Sequence, residues 1–148
     1  MHVVYESHNA KALRAARGIA RSAHDRGLDA TIAPIHAPDL DAITSTNVLV
    51  AGCSTKVDTP FGGEAAATTR TWIDQLPDLN GKPCAVFCTY SFFPPTFADV
   101  TTRTAEVLES LERGLEMKGG KVIASQGLLN RALDEGAEAL VAKIAAHL

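Results

Sequence analysis

The sequence predicts a layered α/β fold, in which a parallel five-stranded sheet carries helices on both faces. Three observations predict it. Short hydrophobic runs at residues 3–5, 47–51 and 85–88 alternate with stretches of helical periodicity. Each run opens into a polar or Gly/Pro-rich loop, at residues 6–11, 52–63 and 89–99. The run at 47–51 lacks a polar alternation, as expected of a central parallel strand covered on both faces. Strand order 2-1-3-4-5 is favoured for five strands of this kind, and ligands bind outside the carboxyl ends where that order reverses. The three loops leave the sheet at those ends.

The elements follow in order. Residues 3–5 form the first strand. From Ala10 to about Asp25, Leu13, Ala16, Ala20 and Ala23 repeat at helical spacing, with Lys11, Arg14, Arg17 and Arg21 largely on the other side as a solvated face. Gly27 closes that helix. Residues 30–34 are a short second strand ending at Pro34. The crossover 35–46 carries little periodicity and is expected to be a short turn rather than a helix. The third strand spans 47–51. After the loop 52–63, Ala66, Thr69, Trp72, Ile73 and Leu76 form a helical stripe that Pro77 stops. Asn80-Gly81 turns into a fourth strand at 82–89. Beyond the loop 89–99, Val100, Val107, Leu108, Leu111 and Leu115 line one side of a helix that Gly119-Gly120 ends. Residues 121–125 are the fifth strand, and Ala137, Leu140, Val141 and Ile144 mark a last helix. The expected count is five strands and four helices.

At 148 residues the chain is expected to be a single domain, 1–148, large enough to bury a core without disulfide or metal support. Hydrophobic residues make up 46% and charged residues 21%. A net charge of −3 argues against a nucleic-acid binder, which would show a basic face. No apolar run approaches the roughly 20 residues that span a bilayer, so no membrane partner is expected. A strand beginning at residue 3 leaves no room for a signal peptide, and three cysteines are no disulfide framework, so a cytoplasmic location is expected.

The first loop and helix start, Tyr5-Glu6-Ser7-His8-Asn9-Ala10-Lys11-Ala12, place backbone N–H groups and a positive helix end where a phosphate can bind. Ser7, Asn9 and Lys11 can add side-chain donors. The loop is neither a Walker loop nor a dinucleotide fingerprint, because neither glycine pattern is present. An ordinary strand-to-helix turn with Ser7 or Asn9 as N-cap is the alternative.

Several motifs resemble the flavodoxin-like family, over nearly the whole chain in element order and spacing. The family's first loop usually has the pattern Tyr-x-Ser-x-x-Gly-Asn-Thr. Here Tyr5 and Ser7 match, while Ala10, Lys11 and Ala12 stand where Gly, Asn and Thr are expected. Val48-Leu49-Val50-Ala51-Gly52-Cys53-Ser54-Thr55 resembles the second region, and Phe61-Gly62-Gly63 its aromatic-Gly-Gly. Ala85-Val86-Phe87-Cys88-Thr89-Tyr90 resembles the fourth strand and the start of the third loop.

The resemblance implies a three-layer sandwich and a site for flavin mononucleotide (FMN). The phosphate would sit against Ser7 and the N–H groups of His8, Asn9, Ala10, Lys11 and Ala12. The isoalloxazine ring would lie between the second loop (Ser54, Thr55, Phe61, Gly62) and the third (Thr89, Tyr90, Phe92, Phe93). Four of the chain's eight aromatic residues, Phe61, Tyr90, Phe92 and Phe93, lie in these loops, where stacking contributes about 0.5–1.5 kcal/mol beyond burial. Ala12 in place of Thr removes a hydroxyl that would bond phosphate, and Lys11 can compensate as a point charge. The implied function is electron transfer or small flavin-dependent reduction, with a redox protein or a nicotinamide donor as partner. The modest charge departs from strongly acidic electron carriers. The other function is a flavin-free binding or regulatory module that has lost the phosphate site.

No residue stands out as a catalytic acid or base. The five histidines show no metal spacing. Gly52-Cys53 replaces the acceptor that an aspartate receiver would need. Cys84 and Cys88 lie about 13 Å apart along one strand, too far for a disulfide. Cys53 and Cys88 end neighbouring strands and can approach one another; packed core thiols and a redox pair both fit.

Overall fold

The computed structural model describes residues 1–6, 10–55, 63–91 and 97–148, with backbone alone for 63–65 and 97–99. Five strands, β1 (His2–Tyr5), β2 (Thr31–Pro34), β3 (Leu49–Ser54), β4 (Pro83–Tyr90) and β5 (Lys121–Leu129), form one parallel sheet in the order β2-β1-β3-β4-β5. Five helices connect and cover them: α1 (Ala10–His24), α2 (Leu40–Ser45), α3 (Gly63–Asp74), α4 (Phe97–Met117) and α5 (Leu133–Ala145). The expected α/β class and strand order are both observed.

Each face of the sheet has its own core. In α1 the buried positions Ala12, Ala15, Ala16, Ile19 and Ala23 recur every three or four residues and pack with Leu140, Val141 and Ile144 of α5 against Val3, Val50 and Phe87. Small residues let these two helices close up: a Cβ added at Gly18 would meet the Cβ of Ala137 at 3.4 Å, an ordinary contact. On the opposite face Trp72, Ile73, Val107, Leu111 and Leu115 of α3 and α4 pack on Val4, Leu49, Ala51 and Val86, and Ile43 of α2 joins them. No helix among the described residues is long and apolar enough to cross a membrane.

Four expectations need correction. The crossover 35–46 contains a helix, α2, so there are five helices rather than four. Asp39 Oδ1 accepts the Ala42 N–H at 2.9 Å, and this cap starts a helix too short to show periodicity. The third strand starts at Leu49 and runs on to Ser54, so Gly52, Cys53 and Ser54 belong to β3 and not to a loop. Gly52 is there because Phe87 covers it; a Cβ at Gly52 would lie 2.3 Å from that ring. Likewise Tyr90, expected in the third loop, belongs to β4, with Thr89 inside the strand as expected. The fifth strand continues past Ser125 to Leu129, since β4 offers it partners up to Tyr90. Gly127 fits because the Tyr90 ring passes over it, 3.2 Å from where a Cβ would stand. In β3, β4 and β5 alike, residues with the look of a loop continue a parallel ladder.

Candidate functional site

The lengthened strands bring four chain segments to the carboxyl edge. Glu6 follows β1, Ser54 and Thr55 end β3, Thr89, Tyr90 and Ser91 end β4, and Asn130 follows β5. The first turn of α1 contributes Ala10, Lys11 and Ala12. This turn holds no acidic side chain, which leaves the positive end of the helix favourable to an anion.

Lys11 Nζ donates to Ser91 Oγ at 3.0 Å, joining the first turn of α1 to the segment after β4. Asn130 Nδ2 donates to the same oxygen at 2.5 Å, and the Asn130 N–H donates to the Tyr90 carbonyl at 2.8 Å. Ser91 Oγ thus accepts twice, and its own O–H has no acceptor among the described residues. Asn130 Oδ1 is buried with no hydrogen-bond partner among the described residues. A buried acceptor left in this way costs about 1–3 kcal/mol. Among the described residues the Lys11 ammonium, the Ser91 hydroxyl and the Asn130 amide therefore stand together, with hydrogen-bonding capacity left on the hydroxyl and the amide.

A second set lies deeper. Ser54 and Thr89, Cα partners in the ladder, share a hydrogen bond between their hydroxyls at 2.8 Å, and the Thr55 N–H donates to the Thr89 carbonyl at 2.8 Å. All three side chains are buried. On the other face of the same strands Cys53 and Cys88 are paired Cα partners, both fully buried and free. The hydrogen bond from Cys53 and those from the hydroxyl and N–H of Thr55 hold the Cys88 thiol below its ordinary value against the opposing effect of burial. The same bond to Cys88, together with burial, pushes Cys53 well above it. Cys84 is pushed up to about 11 by burial.

The expected site residues divide as follows. Lys11 reaches the third loop's first residue. Ala12 is fully buried, with its methyl in the α1/α5 core, so position 12 offers the edge no side chain. Ala10 is exposed at the start of α1. Ser54 and Thr89 form the deeper hydroxyl pair, the Thr55 hydroxyl bonds to Cys88 on the other face, and Tyr90 is half-buried over Gly127. Ser7, His8, Asn9, Phe61, Gly62, Phe92 and Phe93 lie outside the described residues. Sequence reasoning missed Ser91 and Asn130. Asn130 would have been found by carrying the fifth strand four residues further.

No metal-holding group of three or more His, Cys, Asp or Glu occurs among the described residues. Arginines line a cleft of about 480 Å³ between α1 and the start of α5, where Arg14, Arg17 and Arg131 stand with the Arg21–Asp134 ion pair.

No protein-family model matches the sequence, and no curated protein matches it. Solved structures do. Flavodoxin 2 from Bacillus cereus is 17% identical with a TM-score of 0.72, over 99% of this chain and 98% of that one. A two-electron reduced flavodoxin from Megasphaera elsdenii is 18% identical with a TM-score of 0.65, over 95% and 98%. A flavodoxin mutant from Fusobacterium nucleatum, bound to flavin mononucleotide, is 10% identical with a TM-score of 0.71, over 99% and 95%. Likeness over nearly the full length of both chains, on a sheet of order β2-β1-β3-β4-β5, settles the architecture: this chain has the flavodoxin-like fold.

Proposed function

We propose that this chain, as one flavodoxin-like domain, binds FMN at the carboxyl edge of its sheet and serves in electron transfer or small flavin-dependent reduction. The observation that carries this reading is the Lys11–Ser91–Asn130 cluster. An ammonium and the open end of α1 suit a phosphate. A free hydroxyl donor beside an orphaned amide acceptor suits a polyol chain, whose hydroxyls both give and take hydrogen bonds. The described residues therefore fit the phosphate and ribityl parts of the group. Ser7, His8, Asn9, Ala10 and Ala12 would add backbone or side-chain donors around the phosphate. Ser54, Thr55, Phe61, Gly62, Thr89, Tyr90, Phe92 and Phe93 would border the ring.

The flavin, when bound, supplies the one- and two-electron chemistry; the protein supplies binding and electrostatics. Lys11 neutralises phosphate charge, and Ser91 and Asn130 orient the chain between them. A redox protein or a nicotinamide would be the partner. Free buried thiols suit a reducing compartment such as the cytoplasm.

The test is titration of FMN fluorescence with the purified chain, alongside Lys11→Gln. Quenching at stoichiometric FMN is expected, and Lys11→Gln should weaken affinity about 10- to 100-fold, the worth of one charge-assisted bond. Absence of quenching overturns the proposal. Where quenching is seen, oxidation of a nicotinamide by the FMN-loaded chain marks a reductase, and its absence a carrier.

A flavin-free binding or regulatory module is the second reading. Ala12 favours it: the side chain points into the core and leaves the phosphate loop without the hydroxyl expected there. Loss of quenching with retention of the fold supports this reading.

A further inference from the structure

The chain as a whole is acidic, with 17 Asp and Glu against 14 Lys and Arg. Helix α1 reverses that balance. Its 15 residues include Lys11, Arg14, Arg17 and Arg21 and no carboxylate. Arg14, Arg17 and Arg21 recur at helical spacing on one side, over about 10 Å of helix axis. They line a cleft of about 480 Å³, a volume inside the range of about 300–1,000 Å³ typical of small-molecule sites. The start of α5 forms the opposite wall and brings Arg131 from the far end of the sequence. Two carboxylates share the cleft, Asp134 and Glu135. Asp134 is committed to Arg21, its Oδ1 accepting from that guanidinium at 2.5 Å. Among the described residues no hydrogen bond or ion pair engages the side chain of Arg14 or Arg17. Like charges held side by side repel, and an anion between them relieves the repulsion.

We propose that this cleft binds a small molecule through two adjacent phosphate groups, independently of any flavin. A guanidinium presents a planar fork of N–H donors that matches phosphate oxygens in pairs. Arg14 and Arg17 stand one turn apart and can share one phosphate, while Arg131 across the cleft can take the next. Glu135 opposes an anion from the α5 wall, so the two arginines of α1 carry the main contact. Gly18 lines the cleft with backbone alone, and Leu133, the apolar side chain of the lining, is buried. The cleft therefore offers charge, and little surface for a ring or a base. Its concave shape suits a small molecule better than the face of an acidic protein, which needs about 800 Å² of contact per partner. Asn130 lines this cleft and also donates to Ser91, so the cleft and the flavin edge are neighbours.

The probe is inorganic pyrophosphate, titrated calorimetrically into the intact chain without flavin, in a phosphate-free buffer. Binding at one site per chain is expected, with orthophosphate at least about tenfold weaker. Arg14→Gln and Arg17→Gln should each weaken pyrophosphate by about tenfold, the lower end of a charge-assisted bond. Both side chains are exposed, so the fold survives their loss. Lys121→Gln, exposed at the other end of the sheet, should leave the affinity unchanged. Comparable binding of ADP would identify a nucleotide as the source of the two phosphates, and its absence the free inorganic ion; either upholds the site. Absence of pyrophosphate binding, equal affinity for orthophosphate, or an equal loss in Lys121→Gln would each overturn the proposal. So would a loss confined to Lys11→Gln, which would place the anion at the flavin edge. Binding of polyglutamate without pyrophosphate would overturn it in favour of an acidic protein. Since no flavin enters the titration, failure here leaves the FMN reading standing.

Discussion

Gly52 shows how little room a central strand leaves. Its Cα partner Phe87 lies flat over it, and a methyl there would stand 2.3 Å from ring carbons. Gly52→Ala must displace a fully buried ring, so it should cost about 1–3 kcal/mol or more. Thermal melting would read this as a lower midpoint, by about 2–4 °C per kcal/mol for a chain of this size. His2 carries a different kind of prediction. It is buried, its Nδ1 is bonded to Thr31 Oγ1 at 2.7 Å, and its Nε2 has no partner among the described residues. Burial lowers its pKa, against a raising influence of Asp39. The unfolded chain therefore binds a proton that the native chain resists. The stability His2 contributes is complete above its ordinary value of about 6.5 and is lost as pH falls from there through the lowered native value. Urea midpoints measured from pH 7 to pH 5 should fall less steeply in His2→Gln than in the parent chain. At this scale the sequence displayed Lys11 as a candidate cation. It did not display Ser91 and Asn130, whose meaning depends on two strand ends meeting in space.

At the scale of elements, α2 tests whether a six-residue helix can be held from its ends. Asp39 caps its start, and Lys82 Nζ donates to the carbonyls of Thr44 at 3.0 Å and of Thr46 beyond its end. Asp39→Ala should cost about 1 kcal/mol. Amide exchange in α2 should quicken while exchange in β3 and β4 stays slow, since local opening needs less free energy than global unfolding. Uniform acceleration would show that α2 is not a separable unit. This helix escaped the sequence reading because one and a half turns give no period to detect; its cap was the only local sign. The strand ends escaped for another reason. Gly52, Cys53, Ser54, Thr89 and Gly127 are small or polar, and only the neighbouring strand's ladder makes them extended. Where apolar periodicity was long, as in α1, the boundaries came within a residue; in α5 the stripe located the helix but not its start, which lies four residues before Ala137.

For the whole molecule, parallel alternation made class and strand order legible, because right-handed crossovers leave few arrangements. The site was legible only in part. Three of its loops could be located, yet the contact that joins two of them runs over 80 residues of sequence, from Lys11 to Ser91. If FMN binds at that contact, it should stabilise the whole fold. Ligand at about 100 times its dissociation constant adds about 2.7 kcal/mol. The melting midpoint should rise with FMN and rise less with riboflavin, which lacks the phosphate. Equal shifts would remove the phosphate from the account.

Ser91 has a further consequence. One oxygen receives a lysine from the first helix and an amide from beyond the last strand. A ligand that recruits Lys11 takes a constraint away from the segment after β4, and a ligand that occupies the Ser91 hydroxyl strengthens one. The Lys11 ammonium and the Ser91 hydroxyl are then two sites of a single equilibrium. By reciprocity, whatever factor a ligand on Lys11 imposes on binding at the Ser91 hydroxyl, a ligand on that hydroxyl imposes on binding at Lys11.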